Sequence, residues 1–143
     1  MNFDKILSIA GRPGLWEIKA QTRNGVVAQS LLDGKKLPVN IQNNISILAE
    51  IAIYTYTEEV PLREVFQKIA DKNNFEQTIS HKSSKNELEE FFQEILPEYD
   101  EDRVYTSDIK KIIQWYNLLI EKGVKDFTKQ EAEEVTESEE DKS

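Results

Sequence analysis

Apolar residues recur with a period of two along positions 1–60 and with a period near 3.6 along positions 61–127, so the chain predicts strands first and helices after. Over 15–21, Trp16, Ile18 and Ala20 share one face while Glu17, Lys19 and Gln21 share the other, the alternation of a half-buried strand. Upstream, residues 6–10 form a short apolar run closed by Gly11-Arg12-Pro13-Gly14, where two glycines and a proline favour a turn. Downstream, Asn24-Gly25 and Asp33-Gly34 tolerate positive φ and predict two hairpins joining 15–21, 26–32 and 35–39. Residues 45–50 read as a helical turn. Residues 51–56, β-branched and aromatic, read as a fifth strand. Five short strands of this kind predict an antiparallel SH3-like small barrel or, alternatively, an open curled sheet covered by helices. In the open form Pro38 suits an edge strand, because it donates no ladder hydrogen bond.

Pro61 marks the change of period. It suits a first helical residue, and Leu62, Val65, Phe66, Ile69 and Ala70 form a helical stripe that ends at Asn73-Asn74. Ser84-Lys85-Asn86-Glu87 has the spacing of a capping box and opens a second helix that buries Leu88, Phe91, Phe92, Ile95 and Leu96 before Pro97. A third helix starts at Thr106 or Ser107, buries Ile109, Ile112, Ile113, Tyr116, Leu119 and Ile120, and stops at Gly123. Trp115 and Leu118 lie off that stripe, so this helix is expected to pack on two sides. The organisation read from the pattern is therefore α+β: a small antiparallel β domain over 1–60, a three-helix domain packed on it over 61–127, and an acidic disordered tail over 128–143. Trp16 is expected to be buried against the helical part, since about 60 residues of β structure alone bury a marginal share of their surface.

Composition narrows the chemistry. There is no cysteine, so disulfides, thiol catalysis and thiolate metal sites are excluded. His81 is the single imidazole, which leaves a zinc site almost no nitrogen ligands. No cofactor or metal is expected. No apolar run approaches the roughly 20 residues of a membrane helix, and residues 1–9 lack a signal-peptide core, so a cytoplasmic protein off the membrane is expected. The net charge of −9 is uneven: residues 1–49 carry six basic and three acidic side chains, residues 50–127 ten and seventeen, and residues 128–143 two and seven.

His81 with Ser83 and Ser84 places a base near nucleophiles, but neighbours in sequence do not make a triad, and helix capping explains the serines. Glu98-Tyr99-Asp100-Glu101-Asp102 fails the calcium-loop spacing: counted from Asp100, the glycine position holds Tyr105 and the final glutamate position holds Lys111. Gly11-x-x-Gly14 lies between strands rather than before a helix, so a turn is favoured over a phosphate grip. One constellation carries forward: Arg12, Lys19, Arg23, Lys35 and Lys36, in the turns and on the polar faces of the first four strands, a candidate surface for nucleic acid or another anionic partner.

The segments Gly11-Arg12-Pro13-Gly14-Leu15, Gln21-Thr22-Arg23-Asn24-Gly25, Ser30-Leu31-Leu32-Asp33-Gly34-Lys35, Glu50-Ile51-Ala52-Ile53-Tyr54-Thr55-Tyr56, His81-Lys82-Ser83-Ser84 and Ser107-Asp108-Ile109-Lys110-Lys111 resemble a domain-of-unknown-function family of Bacteroidetes-type bacterial proteins, over residues 3–127. The resemblance implies a bacterial cytoplasmic protein with a boundary near residues 60–80, and no site residues. The function expected is a non-enzymatic interaction module for a protein partner. The alternative is a weak nucleic-acid-binding small barrel using the basic strands, which the overall acidity opposes.

Overall fold

A computed structural model describes residues 3–12, 14–40 and 45–127. The acidic tail expected over 128–143 lies outside these residues. A 3-10 turn at Phe3–Lys5 leads into β1 (Ile6–Ile9), β2 (Trp16–Gln21), β3 (Gly25–Ser30), β4 (Lys36–Asn40) and β5 (Ile45–Ile47). A second 3-10 turn, Leu48–Glu50, precedes β6 (Ala52–Tyr54) and β7 (Glu59–Pro61), and three helices follow: α1 (Leu62–Lys72), α2 (Lys85–Ile95) and α3 (Thr106–Glu121).

The first five strands form one antiparallel sheet in the order β4-β3-β2-β1-β5. Its outer strands β4 and β5 do not pair, so the sheet is open and curled rather than a closed barrel. Pro38 does sit on an edge strand, opposite Val27. The strand expected at 51–56 forms over Ala52–Tyr54 but joins β7 in a separate two-stranded sheet. Ile45–Ile47 takes the fifth place instead, pairing Ile9 with Ile45 and Leu7 with Ile47. The spacing of Ile45, Leu48 and Ala49, i, i+3, i+4, mimics a helix, and it does become a single 3-10 turn at its second half.

Turn chemistry holds in part. Gly34 has φ +77°, as the Asp33-Gly34 hairpin requires, and Asp33 Oδ1 accepts from Lys35 N at 3.0 Å. Gly25 does not have positive φ. It is glycine because a Cβ there would lie 2.0 Å from the Val39 carbonyl oxygen. The hairpin turns one residue earlier, with Thr22 N donating to Gly25 O, and a register shift between Ile18 and Ala20 leaves Lys19 as the extra residue of a bulge.

Two cores result. The curled sheet encloses Leu7, Ile9, Trp16, Val26, Ala28 and Val39, all from its own strands, with Ile18, Leu37, Ile45 and Ile47 around them. Trp16 is buried as expected, at 7% exposure, but in this sheet core and not against the helices. Strand alternation explains it: Leu15, one position earlier, is the residue turned to the helical side. The larger core joins Phe3, Ile6, Leu15, Leu31 and Leu48 to the inward stripes of all three helices. At its centre Phe3, Phe66 and Phe127 meet with ring centroids 5.5–5.8 Å apart, and Tyr116 lies 6.1 Å from Phe66. Arg63 ties the ends to this core, pairing with Asp4, donating to Phe127 O at 3.0 Å and lying over the Phe3 ring.

The helices form close to where the sequence places them, except that Pro61, read as a first helical residue, ends β7 and α1 begins at Leu62. Ser84 Oγ accepts from Glu87 N and Glu87 Oε1 accepts from Ser84 N, the expected capping box of α2. Gly123, with φ +84°, follows α3. Among the described residues no helix is long and apolar enough to cross a membrane.

Candidate functional site

The register of the sheet decides how the five candidate cations relate. Gln29 pairs with both Glu17 and Lys36, so Lys36 lies across the strands from Glu17, with Lys35 just before it in the β3–β4 turn. Arg23 lies at the opposite end of the sheet, in the β2–β3 turn, roughly 15–20 Å along the strand direction from Lys36 at about 3.3 Å per residue. Arg12 is in the β1–β2 turn, three strands away from β4, which is about 14 Å at a spacing of 4.8 Å. Lys19 is engaged within its own strand, with Nζ 3.6 Å from Glu17 Oε1. All five are exposed, yet most are separated by more than the roughly 8 Å over which exposed charges act at physiological salt. The fold brings Lys35 and Lys36 together and leaves Arg12, Lys19 and Arg23 apart from them.

What the fold does assemble is a groove along one side of α3. A cavity of about 470 Å³ lies between this helix and the β1–β2 and β5 region, lined by Ser8, Arg12, Ser46, Lys111, Gln114 and Trp115. Ser8 and Ser46 pair across β1 and β5, and their small hydroxyls on the helix-facing side leave the space open. A second cavity of about 260 Å³ adjoins it, its lining including Ala52, Tyr54, Asp108, Lys111, Ile112 and Trp115. Lys111 and Trp115, one helical turn apart, belong to both cavities. Trp115 is half-buried, its inner side packed on the helical core. Neither Arg12 nor Lys111 has an ion-pair partner among the described residues, and no acidic side chain lines the larger cavity. Arg103, at the rim of the smaller one, is held by Asp100 at 3.4 Å and lies over the Tyr54 ring at 4.9 Å.

Of the five cations, only Arg12 reaches this groove. Lys111, Gln114 and Trp115 escaped the sequence reading, although a signal for them existed: Trp115 and Leu118 fall off the buried stripe of α3, and the side they mark is half open.

Elsewhere the candidate chemistry is structural. Ser84 is the cap of α2, and half-exposed His81 lies in the loop before it. Asp100 Oδ1 accepts from Asp102 N at 3.0 Å and so shapes the turn it belongs to. Among the described residues no group of three or more His, Asp or Glu is placed to hold a metal ion. Tyr116 is buried, its hydroxyl donating to Glu76 O at 2.8 Å, and burial pushes its pKa up to about 12.

Residues 3–48 match the model of one domain of unknown function (DUF5606) and residues 51–119 that of another (DUF6852). No curated protein matches the chain. A Bacteroides vulgatus protein solved by solution NMR as a structural-genomics target superimposes with a TM-score of 0.71 at 41% identity, covering 87% of this chain and 90% of that one. A shared fold at 41% identity over 87% of the chain, together with the matches to two domains of unknown function, places the chain in this Bacteroidetes-type family of uncharacterised function.

Proposed function

We propose that the chain is a non-enzymatic interaction module, acting in the cytoplasm, whose protein partner seats in the groove along α3. The observation that carries this reading is the placement of Trp115. A large aromatic, half open to solvent, sits between two adjoining cavities and is flanked by Lys111 and Arg12, which have no acidic partners among the described residues. Partly exposed aromatics beside cations are the side chains that contribute most at protein interfaces. Catalysis has less support: the groove offers the hydroxyls of Ser8 and Ser46, but the single histidine lies outside its lining.

A photo-crosslinking residue at Gln114, compared with one at Lys36, tests the reading in the cells that make the protein. The expected result is a discrete protein adduct from position 114, insensitive to nuclease and competed by excess unlabelled protein but not by its Trp115→Ala variant. Nuclease-sensitive adducts confined to position 36 would reverse the choice in favour of nucleic acid on the basic strands.

A further inference from the structure

Strand β6 has one edge that is only half used. Leu62 N donates to Ile51 O at 2.9 Å and Thr55 N donates to Glu58 O at 2.8 Å, so Ile51 and Thr55 turn their backbone groups toward β7. In an antiparallel ladder alternate residues point to opposite sides, which sends the backbone groups of Ala52 and Tyr54 the other way. On that side residues 98–100 cover the C-terminal half: Asp100 N donates to Tyr54 O at 2.9 Å and Tyr56 N donates to Glu98 O at 3.0 Å. The chain then leaves the edge in a turn closed by Arg103 N and Val104 N donating to Asp100 O. The N–H and C=O of Ala52 and the N–H of Tyr54 have no hydrogen-bond partner among the described residues, and the 260 Å³ cavity lies in front of them.

We infer that the partner is an extended, acidic peptide segment that adds a strand to this free edge of β6, in the channel between β6 and α3. The inference rests on the proposed function and specifies its ligand. An extended chain is the ligand that matches a strand's unpaired donors and acceptors, and such strand addition takes affinity from the backbone and specificity from alternate side chains. The channel supplies both kinds of side-chain contact. Val104, Ile112 and the Trp115 ring form an apolar wall for one set of alternating residues, while Lys111 and then Arg12 lie along the direction of the larger cavity. Asp108 also lines the smaller cavity, but its Oδ2 accepts from Tyr105 N at 3.0 Å at the start of α3, and the two unpaired cations select carboxylates. From Lys111 to Leu118 the wall of α3 runs about 10 Å at 1.5 Å per residue, so a segment of roughly three to six extended residues fills the two cavities.

The test uses the full chain and two acetylated hexapeptides, one alternating valine with glutamate and one alternating valine with lysine, followed by amide NMR. The Val–Glu peptide should shift the Ala52 and Tyr54 amides and the Trp115 indole, and bind about tenfold more tightly than the Val–Lys peptide, a preference that Lys111→Glu should reverse. N-methylation of alternate residues of the Val–Glu peptide removes one edge's donors without touching the side chains, and should abolish binding in one of the two registers. Ala52→Pro should weaken binding about tenfold while leaving the melt close to that of the parent, since the fold does not use that N–H and Ile51, at φ −84° and ψ 140°, already has the backbone a following proline needs. If Trp115→Ala abolishes binding while Ala52→Pro and both N-methylated peptides bind as before, the groove holds a partner but no added strand, and the inference fails while the proposed function stands. If neither peptide moves these signals, the inference fails and the crosslinking at Gln114 still judges the module. Shifts at Ala52 that depend on protein concentration alone, or on removal of residues 128–143, would assign the edge to a second copy or to the chain's own end, and would likewise overturn it.

Discussion

Replacing Trp16 by phenylalanine and by alanine should separate the two contributions of this residue. The indole is 7% exposed within a sheet core of six buried members among the described residues, and its buried Nε1–H has no hydrogen-bond partner among them. Trp16→Ala empties a large aromatic site and should cost about 3–5 kcal/mol. Trp16→Phe removes roughly three heavy atoms of packing, about 2 kcal/mol at 0.8 per buried carbon group, but also removes a buried unsatisfied donor whose desolvation costs about 1–3 kcal/mol. The two terms nearly cancel, so the phenylalanine variant should match the parent to within about 1 kcal/mol. Urea denaturation followed by far-UV circular dichroism measures both. With an m-value of about 1–3 kcal/mol/M, the alanine variant should unfold at least about 1 M urea earlier. A Trp16→Phe variant as unstable as Trp16→Ala would show that the indole nitrogen is satisfied and that shape alone governs the site. A Trp16→Ala variant as stable as the parent would show that the sheet core contributes nothing, against the burial seen here.

Residues 1–50 expressed alone should be largely unfolded by circular dichroism, because Phe3, Ile6, Leu15, Leu31 and Leu48 all give their side chains to the helical core; a sharp reversible melt of that fragment would contradict this. Gly25→Ala should destabilise by roughly 2 kcal/mol or more, read as a lowered Tm, since its Cβ would meet the Val39 carbonyl oxygen at 2.0 Å and that backbone must move. The raised Tyr116 pKa fixes a pH window: the folded state favours the neutral phenol, so its contribution is complete below the unfolded value of 10.0 and is lost as pH rises through about 12. Base titration monitored at 295 nm should show late tyrosine ionisation to which Tyr116 and Tyr99, also raised by burial, both contribute; Tyr116→Phe should remove one tyrosine from that late phase, and that variant should lose about 1 kcal/mol at neutral pH with its hydrogen bond to Glu76 O.

Local rules carried much of the architecture. The alternation of Trp16 and Ile18, the helical stripes from Leu62 and Ile109, the Ser84-Glu87 box and the glycines at 34 and 123 each specify a conformation through nearest neighbours along the chain, and these elements formed where they were read, although the bulge at Lys19 ends the alternation and leaves Ala20 exposed. Even the open edge of the sheet was legible in Pro38. What pairing decided was invisible to periodicity. Nothing in Ile45-Ser46-Ile47 says that it lies beside β1, or in 51–56 that it leaves the sheet for β7, because strand partners are chosen by long-range contacts and three residues carry too little pattern. The same holds for the site. The basic residues of the first strands were plain in the sequence, but the strand register scattered them. The groove exists only because α3 lies against β1, β5 and β6, which brings Lys111 and Trp115 beside Arg12 and Ala52 from distant parts of the chain. The order of residues determined which faces are apolar and where the chain turns; tertiary packing alone decided which of those faces meet and which backbone edge they leave open.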